Sequence, residues 1–136
     1  MQEHAGVTRR AGMAFGLAAA ASGALATTAR AQTGKGAVKI TLLYGPPKDP
    51  DAFESYYLQK HMPKIYAVKG VARIEIGKGL PGPDGTPPPY YRIFECWFDN
   101  PDTMKDVTSR PEWAVIVADV PNYATGGATV LVSMVE

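Results

Sequence analysis

Two stretches of this chain carry the same punctuation. "DPDAFESY" (49–56) and "NPDTMKDV" (100–107) each set a short polar acceptor, a proline and an aspartate directly after an apolar, strand-like run. Asp49 and Asn100 are N-cap residue types. Proline suits the first helical position, where a missing N–H costs nothing, and Asp51 and Asp102 complement the positive end of a helix. The repeat predicts two helices, each entered straight from a strand, and so divides the domain into two similar halves.

The runs around these helices read as four strands. "AVKITLLY" (37–44) alternates Val38, Ile40, Leu42 and Tyr44 with Lys39, Thr41 and Leu43. "VARIEIGK" (71–78) alternates Ala72, Ile74 and Ile76 with Arg73 and Glu75. "YYRIFECWFD" (90–99) and "GGATVLVSMV" (126–135) complete the set, and the Pro- and Gly-rich "GLPGPDGTPPP" joins the second strand to the third as a stiff hairpin-type connection. Pro63 predicts that the first helix ends near His61. The second breaks before Pro111 and resumes at "PEWAVIVADV". The order βαβ–βαβ is the ferredoxin-like α+β pattern: an antiparallel sheet with helices on one face. The bare face is then expected to be covered by a second copy, with a pocket between sheet and partner. Thr41, Arg73, Glu75, Glu95 and Trp97 are the candidate substrate-binding residues of that pocket.

The start of the chain has a different character. Arg9 and Arg10 precede a mildly apolar run from Met13 to Leu25, and "ARAQ" offers small residues at Ala29 and Ala31. This predicts a signal peptide over 1–31 of the twin-arginine type, hence a periplasmic or exported protein, with a lead-in at 32–37 and the domain at 38–136. The whole chain has 14 basic and 13 acidic residues; removing Arg9, Arg10, Arg30 and Glu3 leaves one acidic residue in excess. Nothing in that balance points to nucleic acid, and no membrane insertion is expected after cleavage. Cys96 is the only cysteine, which excludes an intrachain disulfide. His4 leaves with the signal, so His61 remains alone, and one His with one Cys cannot build a tetrahedral metal site; no metal is expected. No G-x-G-x-x-G lies between a strand and a helix, so nicotinamide binding has no support.

His61 is the prime catalytic candidate. Its ordinary pKa near neutrality lets it take and give a proton, whereas the plainer reading is a histidine that closes a helix end. Phe53, Tyr56, Tyr57 and His61 fall on one face at helical spacing. Tyr56 and Tyr57 could each donate to a substrate oxygen, or simply pack.

"FESYYLQKHMP", "RIFECWFDNPDTMKDVTSRPEW" and "ADVPNYATGGATVLV" together resemble, in order, the EthD-like proteins, over nearly all of 38–136. The resemblance implies a homodimeric α+β barrel, a small-molecule ligand and the broad label of oxidoreductase. It also implies kinship with cofactor-free oxygenases, isomerases and decarboxylases, so no cofactor is expected. The leading expectation is an enzyme for a small apolar or aromatic oxygenated compound. The alternatives are a haem-binding barrel with His61 as axial ligand, and a non-catalytic small-ligand-binding protein of the periplasm.

Overall fold

The computed structural model describes residues 33–136. The expected signal peptide lies outside the described residues. Four strands, β1 (Val38–Tyr44), β2 (Arg73–Lys78), β3 (Arg92–Phe98) and β4 (Ala128–Met134), form one antiparallel sheet in the order β2-β3-β1-β4. Helices α1 (Pro50–Tyr56) and α2 (Met62–Tyr66) cross between β1 and β2. Helices α3 (Pro101–Thr108) and α4 (Pro111–Asp119) cross between β3 and β4. This is the ferredoxin-like α+β arrangement that the repeated punctuation predicts.

The caps form as that punctuation requires. The Asp49 carboxylate accepts from the Ala52 N–H at 3.0 Å, and the Asn100 side-chain oxygen accepts from Thr103 N–H at 2.8 Å. The first helix departs from expectation. It does not stop at His61 but continues to Tyr66 through one wide π turn, Tyr57–His61. Met62 keeps helical dihedrals although proline follows it, and its N–H reaches back five residues to the Tyr57 carbonyl. Pro63 has no N–H, and in a regular helix its ring would press on the carbonyl of Gln59. The wider turn makes room for it, which is a common use of a π bulge.

Strand alternation sorts the side chains. Ile40, Tyr44, Phe94, Cys96 and Phe98 face the helices and pack against Phe53, Tyr57, Met62, Ile65, Val107 and Ile116 in one core. Burial pushes the Cys96 thiol up to about 12, so it stays a neutral core group. The chain pinches where β1 ends and β4 begins: a Cβ on Gly45 or Gly126 would run into the other's backbone, and Gly45 N–H donates to the Gly127 carbonyl at 3.0 Å. That pinch brings Tyr44 and Tyr123 together. β4 is exposed throughout, including Val130 and Val132, which stand beside Leu42 and Ile40 on the helix side.

The two caps should contribute independently. Asp49→Ala and Asn100→Ala should each lower unfolding free energy by about 1 kcal/mol, and the double variant by about the sum, in urea titration. A loss below about 0.3 kcal/mol for either would show that its cap does not hold the helix start.

Candidate active site

His61 enters the core from the wide turn. Its ring is only 1% exposed. Nδ1 lies 3.0 Å from Oδ2 of Asp119, the last residue of α4. The other Asp119 oxygen accepts from the Tyr56 hydroxyl at 2.5 Å and from the Asn122 amide at 3.0 Å. The Lys64 ammonium stands 3.3 Å from Oδ2. Burial alone would raise the Asp119 pKa, but these donors outweigh it and hold the carboxyl well below the usual carboxylate range.

An ionised acceptor at Nδ1 fixes the ring proton there and leaves the lone pair on Nε2. Nε2 has no hydrogen-bond partner among the described residues. His61 lines a cavity of about 40 Å³ between helices and sheet, walled by Ile40, Leu42, Ile65, Phe94, Trp113 and Ile116 among others. Burial lowers the His61 pKa, and the Asp119 bond and charge offset that only in part. The ring is therefore neutral at neutral pH and borders an apolar space.

Aromatic rings hold it in place. Tyr57 stacks on His61 with centroids 5.9 Å apart and an interplanar angle of 16°, and Tyr123 lies 4.6 Å away. Tyr44 and Tyr123 share a 2.7 Å hydrogen bond between hydroxyls. The Tyr57 hydroxyl is buried without a partner, and burial drives its pKa upward. Arg92, paired with Glu54 at 2.5 Å, lies over the Tyr57 ring at 4.9 Å. Tyr57 thus sits as a packed wall behind His61, while Tyr56 meets it through Asp119.

The remaining sequence candidates are brought together, but elsewhere. Thr41, Arg73, Glu75, Glu95 and Trp97 project from the opposite face of the sheet, away from His61. There Arg73 pairs with Glu75, and Lys39 pairs with Glu95 at 2.7 Å. Arg73 and Lys39 flank the Trp97 ring at 4.7 and 5.4 Å. The eight candidates divide between the two faces: the His61 cavity lies on the helix side, and the five strand residues lie on the open face that a second copy is expected to cover. Alternation alone accounts for this, because odd-numbered residues of β1, β2 and β3 point away from the core. Asp119 was missed, although a signal existed: it is the single acid in the otherwise apolar "WAVIVADV".

The EthD domain signature matches residues 45–127. The chain belongs to the EthD domain family. An uncharacterized 11.0 kDa protein from the thcB-thcC intergenic region of Rhodococcus erythropolis is 34% identical over 93 residues, covering 68% of this chain and 89% of that protein. A Bacillus halodurans ethyl tert-butyl ether d (EthD) family protein superposes with a TM-score of 0.68 at 21% identity, covering 74% of this EthD chain and 99% of its own. SnoaB, a cofactor-independent oxygenase from Streptomyces nogalater, shares the fold with a TM-score of 0.54 at 11% identity, over 74% of this chain and 94% of its own.

The lowered His61 pKa fixes the sign of one pH effect. The folded protein binds this proton less readily than the unfolded chain, so the stability it contributes is fully present above the ordinary value of 6.5. It is lost as pH falls from there through the folded value. Asp119 acts in the same direction, but only below its ordinary 3.8. Melting temperature should therefore fall as pH drops below about 6.5, and His61→Gln should flatten that decline. An unchanged slope in the variant would show that other groups cause it.

Proposed function

We propose that this EthD-family chain is an exported, cofactor-free enzyme in which His61 acts as general base on a small, mostly apolar, oxygenated compound. The observation that carries the reading is the buried Asp119–His61 pair, with Nδ1 occupied at 3.0 Å and Nε2 left without a partner beside the apolar cavity. A substrate C–H or O–H placed against Nε2 loses its proton to the ring. The imidazolium that forms is held by the Asp119 carboxylate, and Tyr56, Asn122 and Lys64 keep that carboxylate ionised and fixed. The apolar walls keep water from competing for the base. Rearrangement can begin with this deprotonation, and so can oxidation, with dioxygen as the oxidant that takes electrons from the resulting anion. The fold shared with a cofactor-independent oxygenase supports the oxidative branch.

The haem alternative fits poorly. A space of about 40 Å³ is far smaller than a porphyrin, and Tyr57 and Tyr123 pack against the His61 ring. The signal-like N-terminus supports export through its paired arginines and small-residue cleavage site.

The reactive role is tested by proton exchange. In D2O, a panel of small ketones and phenols followed by NMR should reveal at least one compound whose exchange the protein accelerates. The rate should rise with pH along a limb below about 6.5 and level off at neutrality. His61→Gln should lower it by about a hundredfold or more, and Asp119→Asn, which presents the wrong partner to Nδ1, by a comparable factor. Losses that merely track the folded fraction, with no limb near neutrality, would reduce His61 to a packing residue.

A homodimer with sheets face to face is part of the same proposal. The charged set around Trp97 and the exposed Leu131 share the open face, and such a face is normally covered. Light scattering at micromolar concentration should give twice the chain mass. A clean single-chain mass would refute the barrel.

A further inference from the structure

The cavity beside His61 is too small for most compounds that the proposed chemistry would suit. At about 40 Å³ it is roughly a quarter the size of an apolar cavity that takes benzene, roughly 150 Å³. A second and larger space, a groove of about 270 Å³, lies close by. It runs along the seam between α2 and α4. Its floor is apolar: Ala67, Val68, Val115 and Ile116. Its polar groups are Lys64 and Glu112. Ile116, 5% exposed, lines both spaces. Neighbouring residues divide between them: His61, Ile65 and Val117 border the cavity, while Lys64, Val68 and Val115 border the groove.

We infer that the groove is the outer subsite of the His61 site, and that Ile116 is the size filter between them. The body of the substrate lies in the groove, and only a compact end passes Ile116 to reach Nε2. The argument rests on the reading of His61 as the reactive group. The chemistry of the groove selects a neutral, ring-sized compound with a carbonyl or ether oxygen. The floor takes the ring, and Lys64 donates to the oxygen. Glu112 disfavours a carboxylate and Lys64 a cation, so the two charges select against a full charge on the ligand. Lys64 also contacts Asp119, so a ligand oxygen at its ammonium sits next to the network that orients His61. The competing mouth is at Val117, which lines the cavity and is 56% exposed. Val130 and Val132 on β4, exposed and paired in the sheet with the cavity-lining Leu42 and Ile40, offer no polar anchor.

The test uses acetophenone as the ring-sized probe and acetone as the small one. The readouts are the NMR signals of the His61 ring and of the Val115 and Ile116 methyls. In the wild type, acetophenone should shift the His61 and Ile116 signals together, with one dissociation constant. Val115→Trp, which fills the groove from an exposed position, should raise that constant at least tenfold while leaving the acetone response within about twofold. Val117→Trp, at the other mouth, should weaken acetophenone binding less than Val115→Trp does. Ile116→Ala should tighten acetophenone severalfold by joining the two spaces. Ile116→Val is the milder substitute if the alanine variant folds poorly, and should tighten binding in the same direction. The inference is overturned if acetophenone moves neither set of signals, or moves the groove methyls without His61. It is also overturned if Val117→Trp blocks binding and Val115→Trp does not. These readouts need no turnover, so they stand even if the proton-exchange test removes His61 from the chemistry.

Discussion

A carboxylate buried in a small domain must be surrounded by donors, and much of this molecule's arrangement follows from how Asp119 meets that requirement. It gathers Tyr56, His61 and Lys64 from one crossover and Asn122 from just beyond its own helix. Those groups tie the first half of the chain to the second across the top of the sheet. A buried ion lacking one of its donors is costly, so the network tolerates little displacement. The position of the imidazole, the identity of its protonated nitrogen and the direction of its lone pair are all set by this one anion.

The fold was legible because its signals are local. Asp49, Pro50, Asn100 and Pro101 specify helix starts from within three residues, and the alternation of "VKITLLY" specifies a strand and its faces from within seven. The continuation past His61 was not legible. Whether Met62 obeys the bias imposed by Pro63 depends on a wide turn that Tyr57 and His61 favour by packing into the core, and that packing is tertiary. His61 and Tyr56 were identifiable as candidates from chemistry and spacing. Their shared partner was not, since Asp119 stands more than fifty residues away and only the crossing of the helices joins them.

The two faces of the sheet use polar groups in opposite ways. On the helix side, polar groups are mostly buried and aimed at one another: Asp119 with His61, Tyr44 with Tyr123, Arg92 with the half-buried Glu54. On the open side, charges lie beside each other across strands and flank Trp97 through their cationic ends. The first arrangement fixes geometry in a dry setting, where electrostatic interactions are strong. The second leaves side chains half-solvated, where pairs contribute little to stability but provide a patterned surface. Residues of similar type in the sequence therefore have separate duties, decided by the parity of their position along a strand.

The π turn at Tyr57–His61 amounts to one extra residue in an otherwise ordinary helix. Each helical residue advances the chain by about 100°. Losing one residue from this turn would keep the helix and swing Phe53, Tyr56 and Tyr57 by about that angle relative to His61. The imidazole would lose the ring stacked on it, and Asp119 would lose the Tyr56 hydroxyl, while most of the remaining core could stay in place. Among related chains, a single-codon deletion here would keep the scaffold and dismantle the Asp119–His61 arrangement in one step, so the length of this segment decides whether a descendant retains that arrangement at all.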